Sequence, residues 1–232
     1  MKYLKKFWPL YMITGVLFVI SALSTESFIE TIAENTPVPR NYTIIIDPGH
    51  GGIDGGATSC TGVLESQINL EIGLRLNDLC HLMGYHTRMT RTSDVSIYTE
   101  GNSIAAKKAS DLRQRVKIVN DTENAILISL HQNIFSDSQY SGAQVFYTDT
   151  QGSSELAQIL QAAFVESINT GSSRKAKAAT NIYLMRHIQK TGILVECGFL
   201  SNPEEEAKLR SENYQKEICC VIVSALSKYL SP

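Results

Sequence analysis

Short β-rich apolar segments alternate with segments of helical periodicity along this chain, and this alternation constrains the fold more than any other feature. Tyr42–Asp47, Ala125–Leu130 and Ile193–Glu196 have the length and composition of strands. After the first of them, apolar residues recur at helical spacing from Ile68, and Gly84 follows as a helix-ending glycine. The pattern predicts an α/β fold: a single domain with a mostly parallel central sheet flanked by helices.

The other predicted elements complete this alternation. They are strands at Tyr85–Thr90, Ala143–Tyr147 and Ile182–Met185, a polar loop at Arg91–Ala105, and helices at Ser110–Asn120, Ser153–Asn169, from Pro203, and Tyr214–Tyr229. The helix at Pro203 has a strong start signal, because Asn202 can cap it and proline suits the first helical position.

The first 41 residues have a different character from the rest of the 232-residue chain. A basic start, Met1–Lys6, precedes Phe7–Thr25, which has no charged residue and is about as long as a helix that crosses a bilayer. Residues 1–25 are therefore typical of either a signal peptide or a membrane anchor. Residues 26–41 read as a linker and residues 42–232 as one folded domain. Either interpretation places the folded domain outside the cytoplasm.

Charge and cysteine content exclude some classes of protein. The net charge of −2 gives no basic field for nucleic acid. The five cysteines are odd in number, two are adjacent, and none forms a Cys-x-x-Cys pair, so neither a disulfide framework nor a structural zinc site of that kind is expected. Free, mostly buried thiols are the expected state.

Polar motifs follow the ends of three predicted strands. Asp47–Gly52 (DPGHGG) follows the first strand, His131 ends the strand of the SLHQN motif, and Glu196 ends a third within ECGFLSN; Glu65 opens the predicted first helix. In open α/β sheets, ligands bind outside the carboxyl ends of the strands. We therefore expect these side chains to converge at one edge of the sheet and to form the active site there.

Two histidines and a carboxylate are a donor set that catalytic zinc uses, with a fourth position left open for water. His50, Glu65 and His131 are the predicted zinc ligands, and Glu196 is the predicted catalytic base that serves the attacking water. Asp47 is a candidate to orient His50 by accepting its other ring N–H.

Several other polar residues have simpler explanations. His81, His86 and His187 are expected on the surface. The basic residues Lys107, Lys108, Arg113 and Arg115 are expected to form a solvated face, with an anionic substrate or an accessory protein as the alternative.

From Thr43 to Tyr229 the chain resembles the zinc-dependent N-acetylmuramoyl-L-alanine amidases of the Amidase_3 family. The DPGHGG turn, Glu65, the Ser-x-His-x-Asn strand end and the Glu-x-Gly-Phe-Leu-Ser-Asn element carry the resemblance. It implies Zn²⁺ on His50, Glu65 and His131, a catalytic Glu196, and hydrolysis of the amide between N-acetylmuramic acid and L-alanine. Peptidoglycan glycan strands with stem peptides are then the substrate, and residues 42–232 are the zinc amidase catalytic domain.

The chain is similar in particular to the germination-specific, spore-cortex branch of that family, the CwlD-like amidases. The N-terminal apolar segment, Asp111–Val116, Ser141–Gln144 and Arg174–Lys177 ahead of Ile182–Met185 carry this likeness. It implies removal of stem peptides so that muramic-δ-lactam can form in the cortex, by a membrane-anchored or secreted enzyme on the forespore or cortex side. Targeting or activation by an accessory protein is a further expectation. The alternatives are another peptidoglycan zinc hydrolase, such as a deacetylase or an endopeptidase, and a non-catalytic wall-binding protein.

Overall fold

Six strands form one sheet in a computed structural model that describes residues 41–231. The strands are β1 (Thr43–Pro48), β2 (His86–Met89), β3 (Ala125–Asn133), β4 (Gln144–Tyr147), β5 (Lys177–Ala178) and β6 (Thr191–Phe199). Their order in the sheet is β2-β1-β3-β6-β4-β5. β2, β1, β3 and β6 run parallel to one another, whereas β4 pairs antiparallel with β6 and parallel with β5. The predicted α/β fold with a mostly parallel sheet is confirmed.

Helices cover both faces of this sheet. They are α1 (Glu65–Leu82), α2 (Ile104–Asp121), α3 (Ser153–Ser167), α4 (Tyr183–His187), α5 (Pro203–Leu209) and α6 (Glu212–Leu230). Apolar residues of α1, α3 and α6 pack on one face, and those of α2 and α4 pack on the other. The central strands are buried on both sides, which explains why Ile44–Ile46 is a continuous apolar run rather than an alternating one.

Two predicted elements differ from the structure. The predicted strand Ile182–Met185 is wrong, because this segment forms α4, with Arg186 N donating to Ile182 O at 3.1 Å. A short apolar run is compatible with either structure, and here Leu184 and Met185 pack onto the face of the sheet instead of joining it. α2 begins at Ile104, earlier than predicted, because Ser103 Oγ caps it by accepting from Ala106 N at 3.2 Å.

The cysteines are free, as expected, in the part of the chain that the structure describes. Cys80, Cys197 and Cys219 are buried, whereas Cys60 and Cys220 are exposed. The predicted signal peptide or anchor at 1–25 lies outside the described residues, and so does nearly all of the linker. Among residues 41–231, the helices are all too short or too polar to cross a membrane.

Candidate metal centre and active site

His50 lies in the loop after β1 and has an unusual backbone conformation. Its φ of 61° is in the left-handed region, which non-glycine residues rarely adopt and which costs roughly 1–3 kcal/mol. The ring is oriented by Asp54, whose Oδ2 lies 2.9 Å from His50 Nδ1. Nε2 of His50 therefore faces the opposite way, where it lies 3.3 Å from Glu65 Oε2.

Glu65 is the first residue of α1, and its buried carboxylate is surrounded by donors. Ala57 N donates to Oε2 at 2.9 Å, and Gln132 N donates to Oε1 at 3.1 Å. Burial alone would raise the pKa of this carboxyl, but hydrogen bonds and charge from His131 and His50 outweigh burial and hold the pKa well below its usual range. The helix N-terminus also favours the ionised form. Glu65 is thus an anion at neutral pH.

His131 lies near the carboxyl end of β3 and completes a cluster of three side chains. Its Nδ1 is 2.9 Å from Glu65 Oε1, and its ring meets that of His50 edge-on with 4.9 Å between centroids. Gly49 leaves the space for this ring, because a Cβ on Gly49 would lie 2.2 Å from His131 Nε2. One donor atom each from His50, Glu65 and His131 lies within 4.8 Å of the others.

Glu196 lies beside this cluster because β6 pairs in parallel with β3 and aligns Glu196 with His131. Its Oε2 is buried and has no hydrogen-bond partner among the described residues. Burial raises the pKa of Glu196 to about 7, and the opposing effect of His131 is smaller. A carboxyl group with this pKa can exchange a proton near neutral pH.

The cluster opens into a cavity of about 290 Å³. His50, His131 and Glu196 line it together with the apolar side chains of Leu112, Ile182, Leu184 and Leu194. At its rim, Lys108 Nζ lies 2.7 Å from Asp54 Oδ1. The structure therefore brings together all four side chains predicted for the site, at the predicted edge of the sheet.

The predicted role of Asp47 is wrong. Instead of accepting from the His50 ring, the carboxylate of Asp47 accepts hydrogen bonds from Thr90 Oγ1 and Ser129 Oγ, both at 2.7 Å, and from Arg115. Burial raises its pKa, but the charge of Arg115 and these hydrogen bonds outweigh burial, and the net shift is downward. Asp54, four residues after His50, occupies the orienting position instead.

Arg115 is also not part of a solvated face. It is 2% exposed and pairs with Asp47 and with Asp111, whose Oδ2 lies 2.6 Å from Arg115 Nε. The spacing of Asp111 and Arg115 on one helix is the only sequence signal for this pair, and it does not indicate burial. His81, His86 and His187 are exposed, as predicted.

Two histidines and two carboxylates around one cavity, at the carboxyl edge of a mostly parallel sheet, are typical of metal-dependent hydrolases. Residues 44–228 match the family model for N-acetylmuramoyl-L-alanine amidases, Amidase_3, and the chain belongs to this family. The predicted enzyme class, an amidase, is thereby confirmed.

Individual relatives agree with this assignment. The chain is 38% identical over 190 residues to the germination-specific N-acetylmuramoyl-L-alanine amidase of Bacillus subtilis, with 81% of this chain and 79% of the relative covered. It is 28% identical to the probable cell wall amidase LytH of Staphylococcus epidermidis, over 83% of this chain and 60% of that protein. The solved CwlD amidase of Clostridioides difficile, in complex with the GerS lipoprotein, matches with a TM-score of 0.77 and 38% identity, covering 81% of this chain and 98% of that one.

Proposed function

We propose that this amidase hydrolyses the bond between the lactyl group of N-acetylmuramic acid and the L-alanine of peptidoglycan stem peptides, with Zn²⁺ held by His50, Glu65 and His131. One observation supports the proposal most strongly: three separate elements bring these donor atoms within 4.8 Å of one another, beside a buried carboxyl oxygen that has no hydrogen-bond partner within residues 41–231. Simple packing does not explain why polar groups would be gathered and left incompletely paired in this way.

The donor set fits zinc. Imidazole nitrogen and carboxylate oxygen are its common protein ligands, and three of them leave a coordination position open. Asp54 supports the same assignment, since a histidine that binds a metal usually donates its other ring N–H to a carboxylate or carbonyl. When bound, zinc supplies Lewis-acid chemistry, which polarises a scissile carbonyl and acidifies water.

Glu196 is proposed as the catalytic base. Its free Oε2 accepts a proton from the attacking water and then delivers it to the leaving nitrogen of L-alanine, so that the products are a lactyl carboxylate and a free amine. The apolar side chains of Leu112, Leu184 and Leu194 line the same cavity and limit the access of other water to this carboxyl group.

The biological setting is proposed from the relatives and from the N-terminal sequence. Similarity to a germination-specific amidase and to CwlD favours action on spore cortex, where loss of the stem peptide precedes muramic-δ-lactam formation. The basic and apolar sequence of residues 1–25 favours an extracytoplasmic enzyme that is anchored or secreted. Because the solved CwlD is in complex with a lipoprotein, an accessory protein is proposed here as well.

The test is to incubate the purified full-length protein, loaded with zinc, with purified peptidoglycan and to identify the products by mass spectrometry. Free stem peptides that begin with L-alanine, together with peptide-free muramic acid, are expected, and a chelator should abolish them. Deacetylated glycan or cleaved peptide cross-links would instead indicate a deacetylase or an endopeptidase. Intact peptidoglycan in the presence of bound zinc, for cortex and vegetative wall alike, would contradict the proposed reaction.

A further inference from the structure

Two buried arginines contact the backbone of the loop that carries His50. Arg91, which follows β2, donates from Nε to Pro48 O at 2.9 Å and from Nη2 to Gly49 O at 3.0 Å. Arg115, on α2, donates from Nη1 to Pro48 O at 3.1 Å and from Nη2 to His50 O at 2.8 Å. Three consecutive carbonyl oxygens of this loop therefore each accept a hydrogen bond from a guanidinium group.

Arg91 also connects this loop to the helix that carries Glu65. Its Nη2 donates to Ser66 O, in the first turn of α1, at 2.8 Å. Asn69 makes a parallel connection, because its Nδ2 lies 3.1 Å from Gly49 O and 3.3 Å from Glu65 Oε1. One guanidinium group and one amide thus contribute to fixing the relative positions of His50 and Glu65.

The burial of these arginines requires an explanation. Arg91 is 3% exposed and Arg115 is 2% exposed, and burying a charge is unfavourable unless it is paired and hydrogen-bonded. Arg115 is paired with Asp47 and Asp111. The hydrogen bonds that Arg91 makes to the described residues all end on backbone carbonyl oxygens. These contacts therefore fix the positions of backbone segments and do not neutralise the charge of Arg91.

The conformation of His50 supplies a reason for so many contacts. A non-glycine residue at φ 61° persists only where its surroundings over-determine the backbone. We propose that Arg91 and Arg115 are positioning residues for the metal centre: they hold the loop in the strained conformation that points His50 Nε2 at Glu65. This inference rests on the proposed function, since the geometry they maintain is that of the proposed zinc ligands.

Lysine substitutions test this role while keeping the charge. A lysine ammonium group cannot reproduce the planar fork with which each of these arginines reaches several acceptor oxygens at once. We expect Arg115→Lys and Arg91→Lys, each in the full-length protein, to raise the zinc dissociation constant by about 10–100-fold, as measured by chelator competition. The visible absorption spectrum of the cobalt-substituted variants should also change, because the ligand geometry changes.

Two controls separate positioning from general stability. Arg75→Lys removes an arginine contact far from the loop, where Arg75 Nε donates to Gln215 Oε1 at 2.8 Å. Ile126→Val creates a small defect at the buried amino end of β3. Both controls should lower the melting temperature without changing zinc affinity or the cobalt spectrum.

The outcomes are distinct. A wild-type protein that binds no zinc would contradict the proposed function and this inference together. A wild-type protein that binds zinc, with lysine variants of equal affinity and an unchanged cobalt spectrum, would overturn this inference alone. If one lysine variant fails to fold, the other still decides the question, because each arginine contacts the loop independently.

Discussion

At the scale of single residues, the proposed mechanism depends on the carboxylate of Glu196. Glutamine has the same shape as glutamate but cannot accept the proton, so Glu196→Gln should lower kcat by about 10²–10⁴-fold. The zinc content should stay at the wild-type level, because Glu196 is not among the proposed ligands. Turnover on muropeptides and metal analysis of the same preparation measure both properties. Near-normal turnover would remove Glu196 from the mechanism.

The pKa of Glu196 also predicts the pH dependence of activity. In the proposed mechanism the carboxylate is the active form, and burial raises its pKa to about 7 when no metal is present. A bound cation favours the carboxylate, so the acidic limb of kcat/KM should lie between the ordinary pKa of about 4.3 and 7. Activity is expected to fall as the pH decreases through this range. A profile without an acidic limb between these values would contradict the assignment, and the Glu196→Gln variant should show no such limb in its residual rate.

Gly49 gives a purely steric prediction at the same scale. In Gly49→Ala, the new methyl group would lie 2.2 Å from His131 Nε2, so the imidazole must leave its present position. Zinc affinity should fall at least tenfold, which is the size of loss that follows when the orientation of a metal ligand is disturbed. Gly55→Ala is the matched control, because its methyl group would meet only the flexible end of Leu64 at 3.1 Å. Equal zinc affinity of the two variants would contradict the predicted displacement.

The site residues whose location could be predicted from the sequence are those whose position follows from strand ends. His131 and Glu196 are neighbours because two parallel strands end together. The apolar runs of the sequence predict both strands and where each one ends. The partner of His50 was not readable, because the loop turns back on itself and brings Asp54, rather than the neighbouring Asp47, to the ring. Loop geometry of this kind leaves no periodic signal in the sequence.

At the scale of elements, the start of α5 depends on a single cap. Asn202 Oδ1 accepts from Glu204 N at 3.0 Å and from Glu205 N at 3.1 Å. Asn202→Ala should therefore lower the free energy of unfolding by about 1 kcal/mol, whereas Asn202→Asp retains an accepting oxygen and should cost less. Urea denaturation of the wild type and both variants measures the difference. Equal stability of the alanine and aspartate variants would mean that the cap contributes nothing.

The contrast between α5 and α4 shows which elements could be predicted. α5 was identified from its cap and proline, which are local signals that do not depend on tertiary contacts. α4 was mistaken for a strand, because its five residues are too few for periodicity and its helical form depends on packing against the face of the sheet. β5 has two residues and was missed for the same reason.

At the scale of the whole molecule, the proposed metal centre connects parts of the chain that are distant in sequence. His50 follows β1, Glu65 begins α1 and His131 lies in β3, so a metal bound to all three joins the loop, the helix and the sheet. The unfolded chain cannot present these ligands together. Zinc binding must therefore stabilise the folded state relative to the unfolded state.

This linkage predicts a thermal shift. Free zinc at about 100 times its dissociation constant should stabilise the fold by about 2.7 kcal/mol, which corresponds to roughly 5–10 °C in the melting temperature of a domain of this size. Scanning calorimetry with and without zinc measures the shift, and magnesium at the same concentration is the control, because it prefers all-oxygen sites. His131→Ala removes one ligand and should abolish most of the shift. A shift of equal size in His131→Ala would show that zinc stabilises the protein from another site.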